Sequence, residues 1–254
     1  EWCNSNGPKW TEVVYLMTAK INADTSDGLK LVSDTSGVVD IQANGVNACS
    51  VALNSVTIGS GAAADTKIVF DGNAQDYHIG LDDSNDSLTI GKGSTLGTTT
   101  SVVIDANGII TTPLQPAFSA FPASDQNDAT GNGNAVTVIF GSERFDRNGD
   151  FASNTFTAPV TGIYLLSASV TMHDHTSSNT TGRMAIATSN SGYLYEFDPA
   201  ENISGAGVGS FSLTIVADMD AADTSTVTMQ VFDASNRVID FQASGTFFHG
   251  HLLG

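Results

Sequence analysis

From residue 135 onward, apolar and polar positions alternate. In GIYLLSASVTMHDH, Tyr164, Leu166, Ala168, Val170 and Met172 fall on one side of an extended chain. Ser167, Ser169, Thr171, His173 and His175 fall on the other. Phe211, Leu213 and Ile215 alternate with Ser210, Ser212 and Thr214, and Val227, Met229 and Val231 with Thr226, Thr228 and Gln230. Strand side chains point to opposite faces with period two, so each run predicts a strand with one buried face. Several such strands in roughly 130 residues predict two packed sheets. Upstream, short β-branched runs alternate with Gly, Asn and Asp turns. Only residues 11–20 (TEVVYLMTAK) hint at a helical period, and that stretch is short. The whole chain reads as all-β.

Residues 36–112 contain a degenerate repeat. VDIQANG at 39–45, IVFDGNA at 68–74 and VVIDANG at 102–108 each set an apolar strand before an Asn/Asp/Gly turn. VTIGSG at 56–61 and LTIGKG at 88–93 recur between them. One such unit cannot bury its apolar face alone, so units must pack on each other or on partner chains. PLQPAFSAFPAS at 113–124 carries three prolines and predicts an extended connector. DQNDATGNGN at 125–134 then reads as a loop.

Large side chains follow the same division. Twelve of the thirteen phenylalanines lie at or beyond Phe118, and Phe70 alone precedes it. A compact domain must offset roughly 1–2 kcal/mol of backbone entropy per residue by burying apolar area. The N-terminal part is too poor in large side chains to do so as a monomer. It is therefore disordered, or ordered by other copies of itself.

Phe156, Pro159, Gly162 and Tyr164 form a Phe–x–x–Pro–x–x–Gly–x–Tyr run, and Phe248, Gly250, Leu252 and Leu253 a closing Phe–x–Gly–x–Leu–Leu strand. By these motifs residues 117–254 resemble the globular head of complement subunit one-q, in the superfamily shared with tumour necrosis factor. AFSA at 117–120 is similar to that family's opening strand. VTVIFGSERFDRNGDF (136–151) and TFTAPVTGIYLLSASV (155–170) resemble its most recognisable stretch. SLTIVADMDAADTSTVTMQV (212–231) resembles the penultimate hairpin, and GTFFHGHLLG the closing strand. His251 departs from the aromatic usual there, and residues 183–203 match poorly. The resemblance implies a ten-stranded jelly roll assembling as a tight trimer, and a binding module rather than an enzyme. No Gly-X-Y repeat precedes this head. SDTSGVVDIQANGV and YHIGLDDSNDSLTIGKGS instead resemble segments of tail-fibre and appendage proteins of bacterial viruses. The implied organisation is a trimeric fibre-like β shaft over 1–112, the Pro-rich connector 113–124, and a jelly-roll sandwich head over 125–254 whose first strand may start near 117.

Charge narrows the partners. A formal net charge of −18 with nine Lys and Arg argues against nucleic acid or an anionic membrane, both of which need clustered basic groups. No apolar stretch reaches the roughly 20 residues that span a bilayer. Cys3 and Cys49 are the two cysteines, too few for a disulfide framework or a zinc cluster; a bridge between them and free thiols both stay open. Low charge density and abundant Ser, Thr, Asn and Asp suit an extracellular or virion surface.

Candidate chemistry is sparse. His173/His175 and His249/His251 form two His-x-His pairs, each expected on the outer face of its strand. In the resembled fold these strands are neighbours in the sheet facing the trimer partners. That implies a transition-metal site, as viral fibres form from such pairs on their axis, or a proton-sensitive seam. Plain polar strand positions are the third reading. Asp82, Asp83, Ser84, Asn85 and Asp86 crowd one turn, and Asp146, Asn148 and Asp150 alternate in another. Calcium takes six to eight oxygens, which such loops help supply, although neither follows the EF-hand pattern. Solvated turns are the alternative. Glu143, Glu196 and Glu201 have no spacing that marks glycosidase carboxylates, and no Ser–His–Asp motif, phosphate loop or nucleophile elbow is present. Enzyme activity is therefore not expected. Sequons stand at Asn85, Asn179 and Asn202.

These readings converge on a structural and adhesive virion protein of a bacterial virus. It would be a homotrimeric fibre whose N-terminal region meets other virion proteins and whose knob binds a host glycan or protein. A secreted lectin-like recognition protein, and a capsid decoration or cement protein, are the rivals.

Overall fold

The computed structural model describes residues 39–43, 45–202 and 207–254. Two compact units divide the chain, one ending at Thr66 and one running from Lys67 to Gly254. The helix-like stretch 11–20 and Cys3 lie outside the described residues.

In the first unit, β1 (Val39–Ala43), β2 (Val46–Ala52) and β3 (Ser55–Ile58) form an antiparallel three-stranded sheet. Cys49 sits half-buried in β2, with no disulfide partner among the described residues. Ile41, Val51, Val56 and Ile58 are exposed.

The second unit opens with β4 (Thr66–Phe70), β5 (Tyr77–Asp82), β6 (Ser87–Lys92), β7 (Thr100–Ile104) and β8 (Ile110–Thr111), paired in that order as a meander. Each repeat motif is a strand and its turn. VVIDANG supplies β7 and a turn in which Asp105 Oδ1 accepts from the backbone N–H groups of Asn107 and Ile109, both at 2.8 Å. Those backbone bonds, Ile109's first, hold the Asp105 carboxyl below its ordinary range. Gly108 completes the turn at φ +81°, where an L side chain is disfavoured.

The polarity of this meander is inverted. Its buried face carries His78, Gly80 and Asp82 on β5 and Ser87, Thr89 and Gly91 on β6. Register places Ile79 opposite Ile90, Leu81 opposite Leu88, Leu88 opposite Ile104, Ile90 opposite Val102 and Ile104 opposite Ile110. The apolar face is thus the outer one, with Tyr77, Leu81, Ile90 and Ile110 exposed. Among described residues before Phe118, Leu96 alone among large apolar side chains is buried.

The head comprises β9 (Ala117–Phe121), β10 (Gln126–Thr130), β11 (Val136–Thr137), β12 (Ser142–Asp146), β13 (Phe151–Ala152), β14 (Thr155–Thr157), β15 (Gly162–His173), β16 (Gly182–Thr188), β17 (Gly192–Phe197), β18 (Gly209–Met219), β19 (Thr224–Val231) and β20 (Ile239–Leu252). A short 3₁₀ turn, Pro199–Asn202, follows β17. One sheet runs β12-β9-β20-β15-β18 and the other β13-β14-β19-β16-β17. From β10 onward most sequence neighbours lie in opposite sheets, the exceptions being the hairpins β13–β14 and β16–β17, and this alternation is jelly-roll topology. β10 and β11 pair off these paths with β20 and β19.

β9 is the opening strand read at 117–120, and it pairs with both β12 and β20. One expectation changes. The 125–134 loop contains β10, whose Gln126 and Thr130 face Phe241 and Ile239 across an irregular register.

The period-two pattern builds the core. Tyr164, Leu166, Ala168, Val170 and Met172 are all fully buried, as are Val227, Met229 and Val231. Phe118 stacks on Phe156 at 4.7 Å and on Phe151 at 5.0 Å, and meets Phe248 edge-on at 5.0 Å. The motif glycines mark close approaches. A Cβ on Gly250 would lie 2.5 Å from Leu166 Cδ2 and 3.0 Å from the Leu165 carbonyl oxygen. One on Gly162 would lie 2.7 Å from Leu252 Cδ1. Tyr164 donates its hydroxyl to the Val160 carbonyl at 2.7 Å, so the buried phenol is satisfied.

Candidate functional site

β15 and β20 are neighbours, as the resemblance implied, but their register separates the two histidine pairs. His173 stands opposite Asp240, whereas His249 and His251 stand opposite Ser167 and Leu165. Eight positions along β15 therefore divide His173 from His251, roughly 26 Å at about 3.3 Å per residue. The four imidazoles do not form one site within a chain.

His175 also leaves the expected face. β15 ends at His173, and Asp174 takes φ 65°, which breaks the alternation and turns His175 inward. Its ring is 2% exposed, and neither nitrogen reaches a hydrogen-bond partner. Burial holds this imidazole below its ordinary pKa. A second orphaned histidine was missed in the sequence. His78 is 1% exposed and donates from Nδ1 to the Gly93 carbonyl at 2.8 Å, leaving Nε2 without a partner.

In the acidic turn of Asp146, Asn148 and Asp150, the Asp146 carboxylate caps backbone, whereas Asp150 Oδ2 is buried without a hydrogen-bond partner. Asp146 accepts from the N–H groups of Asp150 at 3.0 Å and Phe151 at 2.9 Å through separate oxygens. Asn148 donates to the Leu114 carbonyl at 3.3 Å. Burial pushes the Asp150 carboxyl up, with the Asp146 charge adding to the shift and Asn148 opposing it. In the other acidic turn, Asp82 accepts from the Ser84 hydroxyl at 2.5 Å and from Asn85 at 3.2 Å. Among the described residues, no three His, Cys, Asp or Glu side chains are grouped to hold a metal ion.

What the fold does bring together is a cleft of about 530 Å³ where the connector meets the first head sheet. Its walls come from Thr111, Thr112 and Gln115–Ser119, from Phe145 on β12 and Arg147 just beyond it, and from His249, Gly250 and His251 on β20. Gln115 anchors one wall, donating to the Leu252 carbonyl at 2.6 Å and accepting from the Thr112 hydroxyl at 2.7 Å. Arg147 donates its backbone N–H to the Ala117 carbonyl at 3.0 Å, which holds the β12 end against β9. The His249 ring stacks on Phe247 at 4.8 Å. Burial, then the neighbouring His251 and Arg144, hold His249 below its ordinary pKa. Arg144 itself lies over the Phe121 ring at 5.0 Å. The arginines of SERFDRNG escaped a reading that looked only at its carboxylates.

The remaining candidates are scattered. Glu196 pairs with Arg183 at 2.6 Å, and Glu143 and Glu201 lie on β12 and the 3₁₀ turn. The sequon residue Asn179 is 2% exposed and donates to the Phe232 carbonyl at 2.8 Å, so glycan attachment there would disrupt the fold. Asn85 and Asn202 are exposed. No described helix is long and apolar enough to cross a membrane.

No protein-family model and no curated protein matches the chain. Solved structures do resemble it. Murine APRIL at pH 8.5 is 16% identical, with 55% of this chain and 99% of that one covered at a TM-score of 0.39. The globular domain of zebrafish complement 1qA is 17% identical, over 55% and 98% of the two chains, at 0.38. The jelly-roll assignment rests on the strand order described above.

Proposed function

We propose that this protein is a non-enzymatic, self-associating recognition protein: a homotrimer with a β shaft and a jelly-roll knob. The observation that carries the reading is the inverted polarity of the β5–β8 meander. An exposed sheet face of Ile, Leu, Val and Tyr side chains is unstable in water and marks an interaction surface. Further copies of the same chain are the occupant that buries every such face at once, and cyclic closure also covers strand edges. The head supports the same reading. On its first sheet β15 presents no charged side chain outward between Ile163 and Thr171, and Ile163 and Val216 are exposed. Depletion of charge is the compositional mark of an interface core.

We place this trimer on a virion, as a fibre or decorating appendage of a bacterial virus. Support comes from the resemblance of the repeat region to appendage segments. Burial of Asn179 removes one of the three sequons whose glycosylation would have favoured a secreted cellular protein. Portal, capsid and tail genes beside the coding sequence would uphold the virion setting. A signal peptide encoded upstream of Glu1, or a glycan on Asn202, would overturn it. The trimer is tested by Leu81→Glu with Ile90→Glu. The account expects light scattering to show dissociation while the head's melt persists; an unchanged mass would contradict it.

A further inference from the structure

On a chain of formal net charge −18, the cleft beside β9, β12 and β20 holds a positive group. Its one permanent cation is Arg147; His249 and His251 line it beside that guanidinium, and His249, held below its ordinary pKa by burial first, is a neutral hydrogen-bonding ring at neutral pH. Among the described residues Arg183–Glu196 is the one ion pair, so the exposed Arg147 guanidinium has no described carboxylate within 4 Å. A guanidinium left without a carboxylate in a cleft is a receptor for one, because its planar fork matches two oxygens. The other walls suit a ring bearing hydroxyls. Phe145 is half-exposed and offers an apolar surface, while Thr111, Thr112 and Ser119 supply hydroxyl groups. A volume of about 530 Å³ lies within the range of small-ligand clefts and accommodates one or two sugar rings.

We propose that this cleft binds a carboxylate-bearing sugar, with Arg147 and the His249/His251 pair receiving the carboxylate and Phe145 packing against the ring. The assignment rests on the recognition reading of the head and deepens it by naming the ligand class. The cleft lies on the β12-β9-β20 side of the sheet, where His249 and His251 stand directly beside Ser167 and Leu165 of the β15 face assigned to self-association.

The test is saturation-transfer NMR on the full chain with glucuronate, glucose and acetate. Glucuronate is expected to bind at least tenfold more tightly than glucose and clearly more tightly than acetate. Arg147→Gln is expected to weaken glucuronate at least tenfold. Phe145→Ser should weaken glucuronate while leaving acetate unchanged. A folded wild type that does not bind glucuronate, that binds glucose equally, or that ignores Arg147→Gln and a His249→Gln/His251→Gln double variant would overturn the proposal. Acetate binding as tightly as glucuronate would overturn the sugar assignment. Adhesion of the full chain to host-cell surfaces separates this idea from the reading beneath it. If the chain adheres and Arg147→Gln adheres equally, recognition stands and the cleft assignment falls. If glucuronate binds normally but nothing adheres, the cleft stands and the adhesive reading falls.

Discussion

Phe118→Ala is expected to be the most damaging single truncation in the head. The side chain is 1% exposed and contacts three other rings, those of Phe151, Phe156 and Phe248, at 4.7–5.0 Å. Strands β9, β13, β14 and β20 contribute those rings, so the residue ties both sheets together. Removing a buried phenyl costs about 3–5 kcal/mol in lost transfer energy plus cavity. Each ring pair is worth about 0.5–1.5 kcal/mol beyond area, partly overlapping that figure, so the upper half of the range applies. With unfolding entropy near 2.1 cal/mol/K per residue, a head of about 140 residues should lose roughly 14–17 °C in melting temperature. Scanning calorimetry of the full chain reads the head transition directly, with the exposed Val238→Ala as a control expected within about 0.5 kcal/mol. A loss below roughly 5 °C would refute the aromatic cluster as the anchor between sheets.

Three further outcomes follow from the same geometry. Residues 113–254 expressed alone should melt cooperatively, whereas a monomeric 1–112 should not; a cooperative circular-dichroism melt from the latter would sink the idea that partner chains order it. Gly250→Ala should destabilise the head by about 1–3 kcal/mol in urea titration, because the added methyl meets Leu166 and the Leu165 carbonyl rather than a movable surface group. Stability should fall on acidification. His175 and His249 are held below the unfolded imidazole value near 6.5, so the unfolded chain binds protons first. Their contribution is complete above about pH 6.5 and is lost as pH drops through the lowered folded values. Melting temperature should thus be lower at pH 5 than at pH 8, and His175→Asn with His249→Asn should flatten the difference; equal wild-type melts would refute the burial of these rings.

The parts of the fold that depend on local periodicity were legible in the sequence. β15 and β19 show their buried faces outright because period-two alternation needs no knowledge of the partner strand. β10 was not legible: QNDAT is a polar strand with no alternation, held by β20 from far along the chain. His175 escaped because a single left-handed residue, Asp174, reverses the face, and an aspartate in αL leaves no signature in composition. The separation of the two histidine pairs along β15 was hidden for another reason. Adjacency of β15 and β20 was readable by resemblance, but their register is set by a bulge near Thr171 and by core packing. The cleft draws on residues 111–119, 145–147 and 249–251, and only closure of the sheet makes them neighbours.

Sedimentation equilibrium of the full chain at micromolar concentration tests the central claim most directly. The account predicts a single species at roughly three times the 26.3 kDa chain mass, stable to dilution. A stable, non-aggregating monomer would contradict it, since the outer face of the β5–β8 sheet would then have to remain apolar and uncovered in water.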